Sequence, residues 1–328
     1  MAVDVITGAT GQVGMELVAA LLAAGDSVRA VTLPGDAAAA GLRERGVEVV
    51  EADVRDAAAM QSVMQGARYV YHLAAIVSTT ATHDLRMWQI NVEGVRNVAD
   101  AARQAGVERM VYFSSIVVFD QEPLEQPLDE RRPRLAPADG SPYVRSKIVG
   151  EQVLREAVAA GLDAVVVHPT VVIGAHENHH VGVVKTLFYN YFAGKLPAVF
   201  AGGFNSVAAT DVAEGAMAAA RRGRCGESYI LGGQWHSVLE LLRRAKKVSG
   251  AAVPRVAIPL PLARAGAPIV DAVARLTATK PAYTDEDIRQ LAGNPHICCG
   301  KAERELGYRP LALDAALQSV HRQWLASR

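Results

Sequence analysis

The sequence predicts an α/β fold, a doubly wound parallel sheet of about seven strands with helices on both faces and a small discontinuous C-terminal domain. Three observations predict it. Short β-branched runs alternate with longer amphipathic stretches along most of the 328 residues, the pattern of strand–crossover–strand units. A glycine-rich turn follows the first such run and opens a helical pattern. Polar and small residues suited to chemistry fall at the ends of the apolar runs, where open parallel sheets present their crevices. The length suits one large domain, or one and a half, with ample core.

Composition narrows the function classes. Lys plus Arg and Asp plus Glu number 34 each, which gives no electrostatic case for nucleic acid. Half the residues are apolar, yet no uninterrupted apolar run is long enough to span a bilayer, so no membrane association is expected. The start has no basic segment followed by an apolar one, so no secretory signal is expected. Cys225, Cys298 and Cys299 match neither a disulfide framework nor a zinc spacing. These features point to the reducing cytoplasm.

The elements follow in order. Val3-Asp4-Val5-Ile6 is the first strand, Thr7-Gly8-Ala9-Thr10-Gly11-Gln12-Val13-Gly14 the turn, and Met15–Ala24 a helix. In such a turn Gly8 permits the tight bend, Gly11 lets the backbone approach a pyrophosphate, and Gly14 lets helix and strand pack closely. The free N–H groups at the helix start face the phosphates. Strand two is Ser27–Thr32 and strand three Val47–Val50, after which Asp56 caps a helix starting near Ala57. Strand four is Tyr69–Leu73, and one helix is predicted over Leu85–Ala105, ended by Gly106. Strand five runs Arg109–Ser115. The loop 121–140, rich in Pro, Glu and Arg, is too long for an ordinary connection and reads as the rim of a site.

Next comes a helix over Tyr143–Ala160, stopped by Gly161, with Tyr143 and Lys147 one turn apart on one face. A phenol with pKa ~10 is a poor acid–base catalyst at neutral pH. A neighbouring ammonium favours the phenolate and lowers that pKa, so the pair is suited to moving a proton to or from an alcohol or carbonyl oxygen. Strand six, Asp163–His168, closes this half.

T-G-x-x-G-x-x-G at Thr7–Gly14, with Y-x-x-x-K at Tyr143–Lys147 far downstream, resembles the short-chain dehydrogenase/reductase superfamily. Length and later motifs are similar to its extended branch, the NAD-dependent epimerase/dehydratase family. That branch includes sugar-nucleotide epimerases and enzymes of dihydroflavonol-reductase and 3β-hydroxysteroid-dehydrogenase type. The resemblance covers nearly the whole chain. It implies a Rossmann domain at residues 1–173 and 204–233, and a substrate-binding domain at 174–203 and 234–328. It also implies a cofactor, NAD or NADP, held by Gly8, Gly11, Gln12, Val13 and Gly14, by Asp53 and Val54 at the adenine, and by Leu73, Ala74 and Ala75 along the nicotinamide ribose and pyrophosphate. Asn91, Pro169, Val172, Tyr143 and Lys147 complete the implied cofactor set.

At the adenosine ribose Thr32 stands where an acid would favour NAD, and Leu33 where an arginine would favour NADP. Neither charge is present, and the preference stays open. Counted back from Val118-Phe119-Asp120, Ser115 aligns with the catalytic serine, so the implied acid–base set is Ser115, Tyr143 and Lys147. The implied substrate contacts are Val77, Ser78, Ser115, Ile116 and His176. At His168–Gly174 the family pattern R-P-x-x-V-Y-G carries His168 for Arg and Ile173 for Tyr, departures expected to reshape the nicotinamide side of the pocket. His72 reads as a packed residue.

Beyond Gly174, His176-Glu177-Asn178-His179-His180 has ligand residue types, but adjacent loop histidines rarely converge on one ion. No metal is expected there, and a substrate lid is. The aromatic helix Thr186–Ala193 reads as core, with a ring or two available to an apolar cleft. Val207–Ala213 is similar to the family's V-x-x-x-D-V-A, with Asp211 capping a helix. Ser228–Gly233 is the last strand. Leu260–Leu276 reads as a cover for the core or a dimer surface, or else as a gating flap. The activity expected is a ketoreductase or alcohol dehydrogenase on a mostly apolar small molecule, in a homodimer. Few arginines follow Gly174 to meet a nucleotide diphosphate, and Ile116-Val117 lacks a dehydratase's acidic pair. A sugar-nucleotide epimerase or dehydratase with retained NAD is the alternative. A non-enzymatic cofactor-sensing regulator is the third reading, although it has no need of Ser115, Tyr143 and Lys147 together.

Overall fold

The strands of the computed structural model, in which residues 2–77, 85–175, 183–277 and 283–328 are described, are β1 (Val3–Thr7), β2 (Ser27–Thr32), β3 (Glu48–Glu51), β4 (Ala67–His72), β5 (Arg109–Phe113), β6 (Ala164–Pro169), β7 (Val171–Ile173), β8 (Ala198–Phe200), β9 (Gly203–Ala208), β10 (Ser228–Leu231), β11 (Gln234–Ser237) and β12 (Val256–Ile258). Seven of them form one parallel sheet in the order β10-β6-β5-β4-β1-β2-β3. β1 is buried at all five positions. It includes Asp4, whose carboxylate is gripped by Arg68 at 3.0 and 2.9 Å. The strand order reverses between β1 and β4, so a crevice opens at their carboxyl ends.

The helices are α1 (Gln12–Ala23), α2 (Ala39–Glu44), α3 (Ala57–Val63), α4 (Leu85–Trp88), α5 (Gly94–Ala105), α6 (Pro142–Ala159), α7 (Val183–Phe192), α8 (Ala209–Arg222), α9 (Val238–Ser249), α10 (Leu260–Leu276), α11 (Asp285–Leu291), α12 (Gly300–Leu306) and α13 (Leu313–Ala326). They supply the apolar stripes that cover the sheet. One cluster joins Leu17 and Leu21 of α1 to Ala213 and Ala216 of α8 and Leu306 of α12. Another joins Met60 of α3, Val95 and Val98 of α5 and Leu154 of α6 to the opposite face. A third lies apart and is built from Phe188, Tyr191 and Phe192 of α7, Leu241 of α9 and Leu317 of α13. The aromatic side chains of α7 are therefore core.

Two sequence expectations are corrected. The helix predicted over Leu85–Ala105 is interrupted between α4 and α5 by a wider turn of π type at Gln89–Glu93, because Asn91 commits its amide to other segments. Asp56 does cap α3, accepting from Ala59 N–H at 3.0 Å. Asp211 does not cap α8; its buried carboxylate accepts Leu311 N–H and Ala312 N–H at 3.1 and 3.0 Å and moors the C-terminal segment. The loop 121–140 is strapped down: Leu128 is buried, and Asn294 Nδ2 donates to the carbonyls of Gln121, Pro123 and Gln126.

Close packing at the glycine turn gives a test. A Cβ on Gly14 would lie 2.3 Å from Gly8 O and 2.7 Å from Ala9 O, both backbone atoms. Gly14→Ala should therefore destabilise by about 1–3 kcal/mol through overpacking. Gly41→Ala, in α2 with open space around it, should be neutral or stabilising by up to about 1 kcal/mol. Thermal denaturation of both variants checks the contrast.

Candidate active site

α6 starts where Ser141 accepts Val144 N–H at 3.4 Å and Pro142 takes the first helical position, a place where its missing N–H costs nothing. The inner face of the helix then carries Tyr143 and Lys147 against the end of β5. Lys147 is only 4 % exposed. Its ammonium donates to Phe113 C=O at 2.7 Å and stands 5.0 Å from the centre of the Tyr112 ring. The next residues alternate across the strand end. Ser114 turns inward and donates to Glu151 Oε1 at 2.5 Å. Ser115 turns the other way, caps a short turn at Ile116–Val118, and hydrogen-bonds the Tyr143 phenol. Ser115, Tyr143 and Lys147 are thus brought together at the carboxyl end of β5.

The electrostatics differ from the sequence expectation. Burial pushes the Tyr143 phenol up to about 12, with the Ser115 hydrogen bond offsetting part of the rise. Burial pulls Lys147 down to about 8, opposed by the Glu151 carboxylate. Excluding water outweighs the attraction between the two groups, and the ammonium spends a hydrogen bond on Phe113. At neutral pH the phenol is a proton donor.

Beneath this pair, one turn beyond Lys147, Glu151 is buried at the centre of a polar cluster. Its Oε1 bonds Ser114 and His168 Nε2 (2.7 Å), and its Oε2 accepts from Arg134 Nε at 3.1 Å. Burial alone would raise this carboxyl, but His168, Arg134 and Ser114 outweigh it and hold the group well below the usual range. Burial keeps His168 neutral. Its Nδ1 has no partner, which suits the tautomer with the proton on Nε2. Sequence reasoning missed Glu151, Arg134 and Ser146. A charged residue at the i+4 position from Lys147, on the buried face of α6, was the available signal for Glu151. Nothing local marked Arg134.

Among the residues expected to hold a cofactor, those of the glycine turn meet the segments after β4 and β6. Gly8 has φ +72°, and a Cβ there would lie 2.8 Å from Ala74 N, so the turn touches the Leu73–Ala75 segment after β4. Gln12 Nε2 donates to Val172 C=O at 3.5 Å, which ties the turn to the segment after Pro169. Asn91 Oδ1 accepts Ile76 N–H at 2.8 Å, and its Nδ2 donates to Ile76 C=O and Ser146 Oγ, both at 2.9 Å. It thereby clamps the crevice wall to α6. Asp53 is paired with Arg55 at 2.6 Å, which holds its carboxyl below the usual range. Val54 is buried, and its side chain would meet a Cβ on Gly94 at 2.8 Å. Thr32 is buried with Oγ1 unpartnered, and Leu33 is half exposed.

His72 is packed: it bonds Thr7 Oγ1 at 2.7 Å, and burial takes it down to about 3. His168 and Ile173 are both interior, so these departures act on the core and not on the pocket wall. Ile116 is buried and Val77 exposed. Ser78, His176 and the histidine-rich run 176–180 lie outside the described residues. Among the described residues no group of three metal-ligating side chains forms, and no helix is long and apolar enough to cross a membrane.

A sheet in this order, a glycine turn at its switch point and a Ser-Tyr-Lys group beyond β5 define an extended short-chain dehydrogenase/reductase. The chain belongs to the NAD dependent epimerase/dehydratase family, whose profile matches residues 5–232. It is 32% identical over 316 residues to sterol demethylase protein B of Methylococcus capsulatus, covering 95% of this chain and 94% of that one. It is 30% identical over 312 residues to the 4-hydroxy-2-methyl-3-oxo-4-farnesyl-3,4-dihydroquinoline-1-oxide ketoreductase of Stigmatella aurantiaca, covering 92% and 90%. The crystal structure of gox2253 superposes with a TM-score of 0.85 at 28% identity, covering 100% of this chain and 99% of that one. The protein is an NAD(P)-dependent enzyme acting on CH–OH groups.

The buried carboxylate gives a pH test. A carboxyl held below its ordinary value contributes stability that is complete above about pH 4.5 and is lost as pH falls through the folded-state value. Glu151→Gln should cost about 2–4 kcal/mol at pH 7, as expected for breaking a buried pair. The gap from wild type should narrow as the pH drops below about 4.5. Urea titrations at pH 7, 5 and 3.5 measure it, and a gap independent of pH would place the effect in packing.

Proposed function

We propose that the protein is a ketoreductase or secondary-alcohol dehydrogenase that uses a nicotinamide dinucleotide and acts on a mostly apolar small molecule. The observation that carries this reading is the meeting of Ser115, Tyr143 and Lys147 at the carboxyl end of β5 with the phenol kept protonated.

The chain's own geometry fits the dinucleotide. The first turn of α1 holds no acidic residue, and no side chain caps its N-terminus, so its N–H groups are open to phosphate. Gly8 and Gly14 let the turn pack directly on the backbone after β4 and on itself, where a Cβ would collide. When bound, the nicotinamide supplies or accepts the hydride. In reduction Ser115 donates to the carbonyl oxygen and fixes it, and Tyr143 gives that oxygen its proton. Lys147 stabilises the charge left on the phenol and would be the residue that holds the ribose hydroxyls of the bound dinucleotide. With the phenol pushed up to about 12, the acid form is already in place for reduction at neutral pH, whereas alcohol oxidation needs the scarce phenolate.

Residues 174–203 and 234–328 supply the substrate side in this reading, with the separate cluster around α7, α9 and α13 as its core. Val77 and Ile116 face the substrate in this reading. The name of the Stigmatella relative, a ketoreductase on a farnesyl-bearing compound, supports an apolar substrate. A cytoplasmic homodimer is the expected setting.

Tyr143→Phe should abolish turnover, to below a tenth of wild type, with cofactor affinity nearly intact. Ser115→Ala should cost roughly 2–4 kcal/mol in transition-state stabilisation. Oxidation should speed up from pH 6 to pH 9 as the phenolate fraction grows, while reduction stays level or falls. Following NAD(P)H absorbance with apolar ketones and the matching alcohols tests all three. Epimerisation of a nucleotide sugar on tightly retained NAD, with no free ketone reduced, would sink the reading.

A further inference from the structure

A guanidinium and an imidazole converge on the one buried carboxylate beneath Lys147. Arg134 Nε donates to Glu151 Oε2 at 3.1 Å, and His168 Nε2 bonds Oε1 at 2.7 Å. Arg134 Nη2 donates to Ser228 Oγ at 3.2 Å and lies 3.4 Å from His168 Nε2. A proton added to His168 would therefore set a cation against the guanidinium. Among the described residues, the other charged or titratable groups facing the pair are Tyr112 of β5 and Lys147 and Arg155 of α6. Arg155 is exposed and reaches Glu151 only at 4.0 Å. Arg134 is thus the cation in contact with both members of the pair.

Arg134 is itself held from two directions. Its backbone bridges Phe119 antiparallel, with Asp120 N–H donating to Pro133 C=O at 2.9 Å and Leu135 N–H to Val118 C=O at 2.8 Å. These bonds lay the second half of the loop 121–140 along the chain that leaves β5. The first half is held by the segment after α11. Asn294 is 2 % exposed; its Nδ2 donates to three carbonyls of the loop, and its N–H donates to Gln121 Oε1 at 3.1 Å. Leu128 N–H donates to His296 C=O, and Cys298 N–H to Leu128 C=O, both at 2.9 Å. A buried amide must spend its hydrogen bonds somewhere, and Asn294 spends its donors on this loop.

We propose that Arg134 is a positioning residue for the acid–base set, holding Glu151 and His168 in place beneath Lys147, and that Asn294 acts on the set through it. The proposal rests on reading Tyr143 and Lys147 as the acid–base pair. It makes the segment after α11 a second support of the catalytic helix, so that displacement of that segment is felt at Lys147. Without the guanidinium, Glu151 would keep a neutral imidazole as its nearest partner in a site closed to water, a costly state for a carboxylate. The imidazole would then take up a proton to replace the lost charge. A second cation would stand near Lys147 and disfavour its ammonium.

Two readouts test it: proton NMR of the His168 ring, which needs no cofactor, and the pH profile of turnover. In wild type His168 should stay uncharged across the neutral range, because burial and Arg134 both hold its proton affinity down. Arg134→Gln should bring its titration up toward the ordinary ~6.5 and lower kcat about ten- to hundredfold. The pH profile should gain a step where His168 takes its proton. Arg134→Lys, which keeps a cation but not the fork, should fall between, and it carries the comparison if the Gln variant fails to fold. Asn294→Ala should move both readouts in the same direction. Combined with Arg134→Gln it should lower kcat no further than Arg134→Gln alone, within about twofold. Arg131→Gln, on the same loop and paired with Asp129 at the surface, is the control and should change neither readout. A folded Arg134→Gln with an unchanged His168 titration and pH profile, or additive losses in the double variant, overturns the proposal. If Tyr143→Phe keeps its turnover, the acid–base reading itself has failed and this inference falls with it.

Discussion

The buried carboxylate of Glu151 is the constraint on which the arrangement of the site depends. A lone ionised group with 1 % exposure would be prohibitively costly. It is tolerated because three different segments bring it partners: Ser114 from the end of β5, His168 from β6 and Arg134 from the loop 121–140. Those bonds fix the rotation and depth of α6 against the sheet. Tyr143 and Lys147 lie two turns and one turn earlier on that helix, so their placement over Ser115 follows from where Glu151 is held. Asn91 supplies a second clamp through Ser146, from the opposite wall of the crevice.

The same enclosure sets the protonation states. Packing α6 against β5 removes water from both the phenol and the amine, which drives each toward its neutral form. The hydrogen bonds that resist this are unequal: Lys147 has a carbonyl and a nearby carboxylate, whereas Tyr143 has one hydroxyl. The protein without cofactor therefore stores a phenol ready to give a proton. A diol or a phosphate brought close to Lys147 would favour its charged form, so cofactor binding and the acidity of Tyr143 are linked.

Much of this was legible in the sequence. β-branched runs broken by Gly and helical stripes predicted the seven strands, because each strand is short and bounded by residues that end it, and the central ones are buried on both faces. The glycine turn and the Tyr143–Lys147 spacing were readable because their geometry is local. The choice of Ser115 over Ser114 agrees with the alternation of side chains across a strand end. What the sequence hid was contact between segments distant in the chain. The partner of Asp211 lies one hundred residues away, at Leu311, so a carboxylate in a first helical turn read as a cap. The interruption at Gln89–Glu93 arises because Asn91 bonds Ile76 and Ser146, and no propensity within Leu85–Ala105 announces that.

The departure at His168 leaves Glu151 to be held by two different segments. Where the family pattern has an arginine on β6, this chain has His168, which hydrogen-bonds Glu151 at 2.7 Å but carries no guanidinium. The guanidinium comes instead from Arg134, stacked over Phe119 at 4.0 Å and bonded to the same carboxylate. In this chain that positive charge comes from a loop. This makes the loop part of the site's support: Arg134 cannot reach Glu151 unless Leu128 is buried and Asn294 holds the loop's first turns. The loop 121–140 is a structural arm of the catalytic helix. Changes in the loop should therefore be felt at Lys147 through Glu151 before they are felt at any substrate contact.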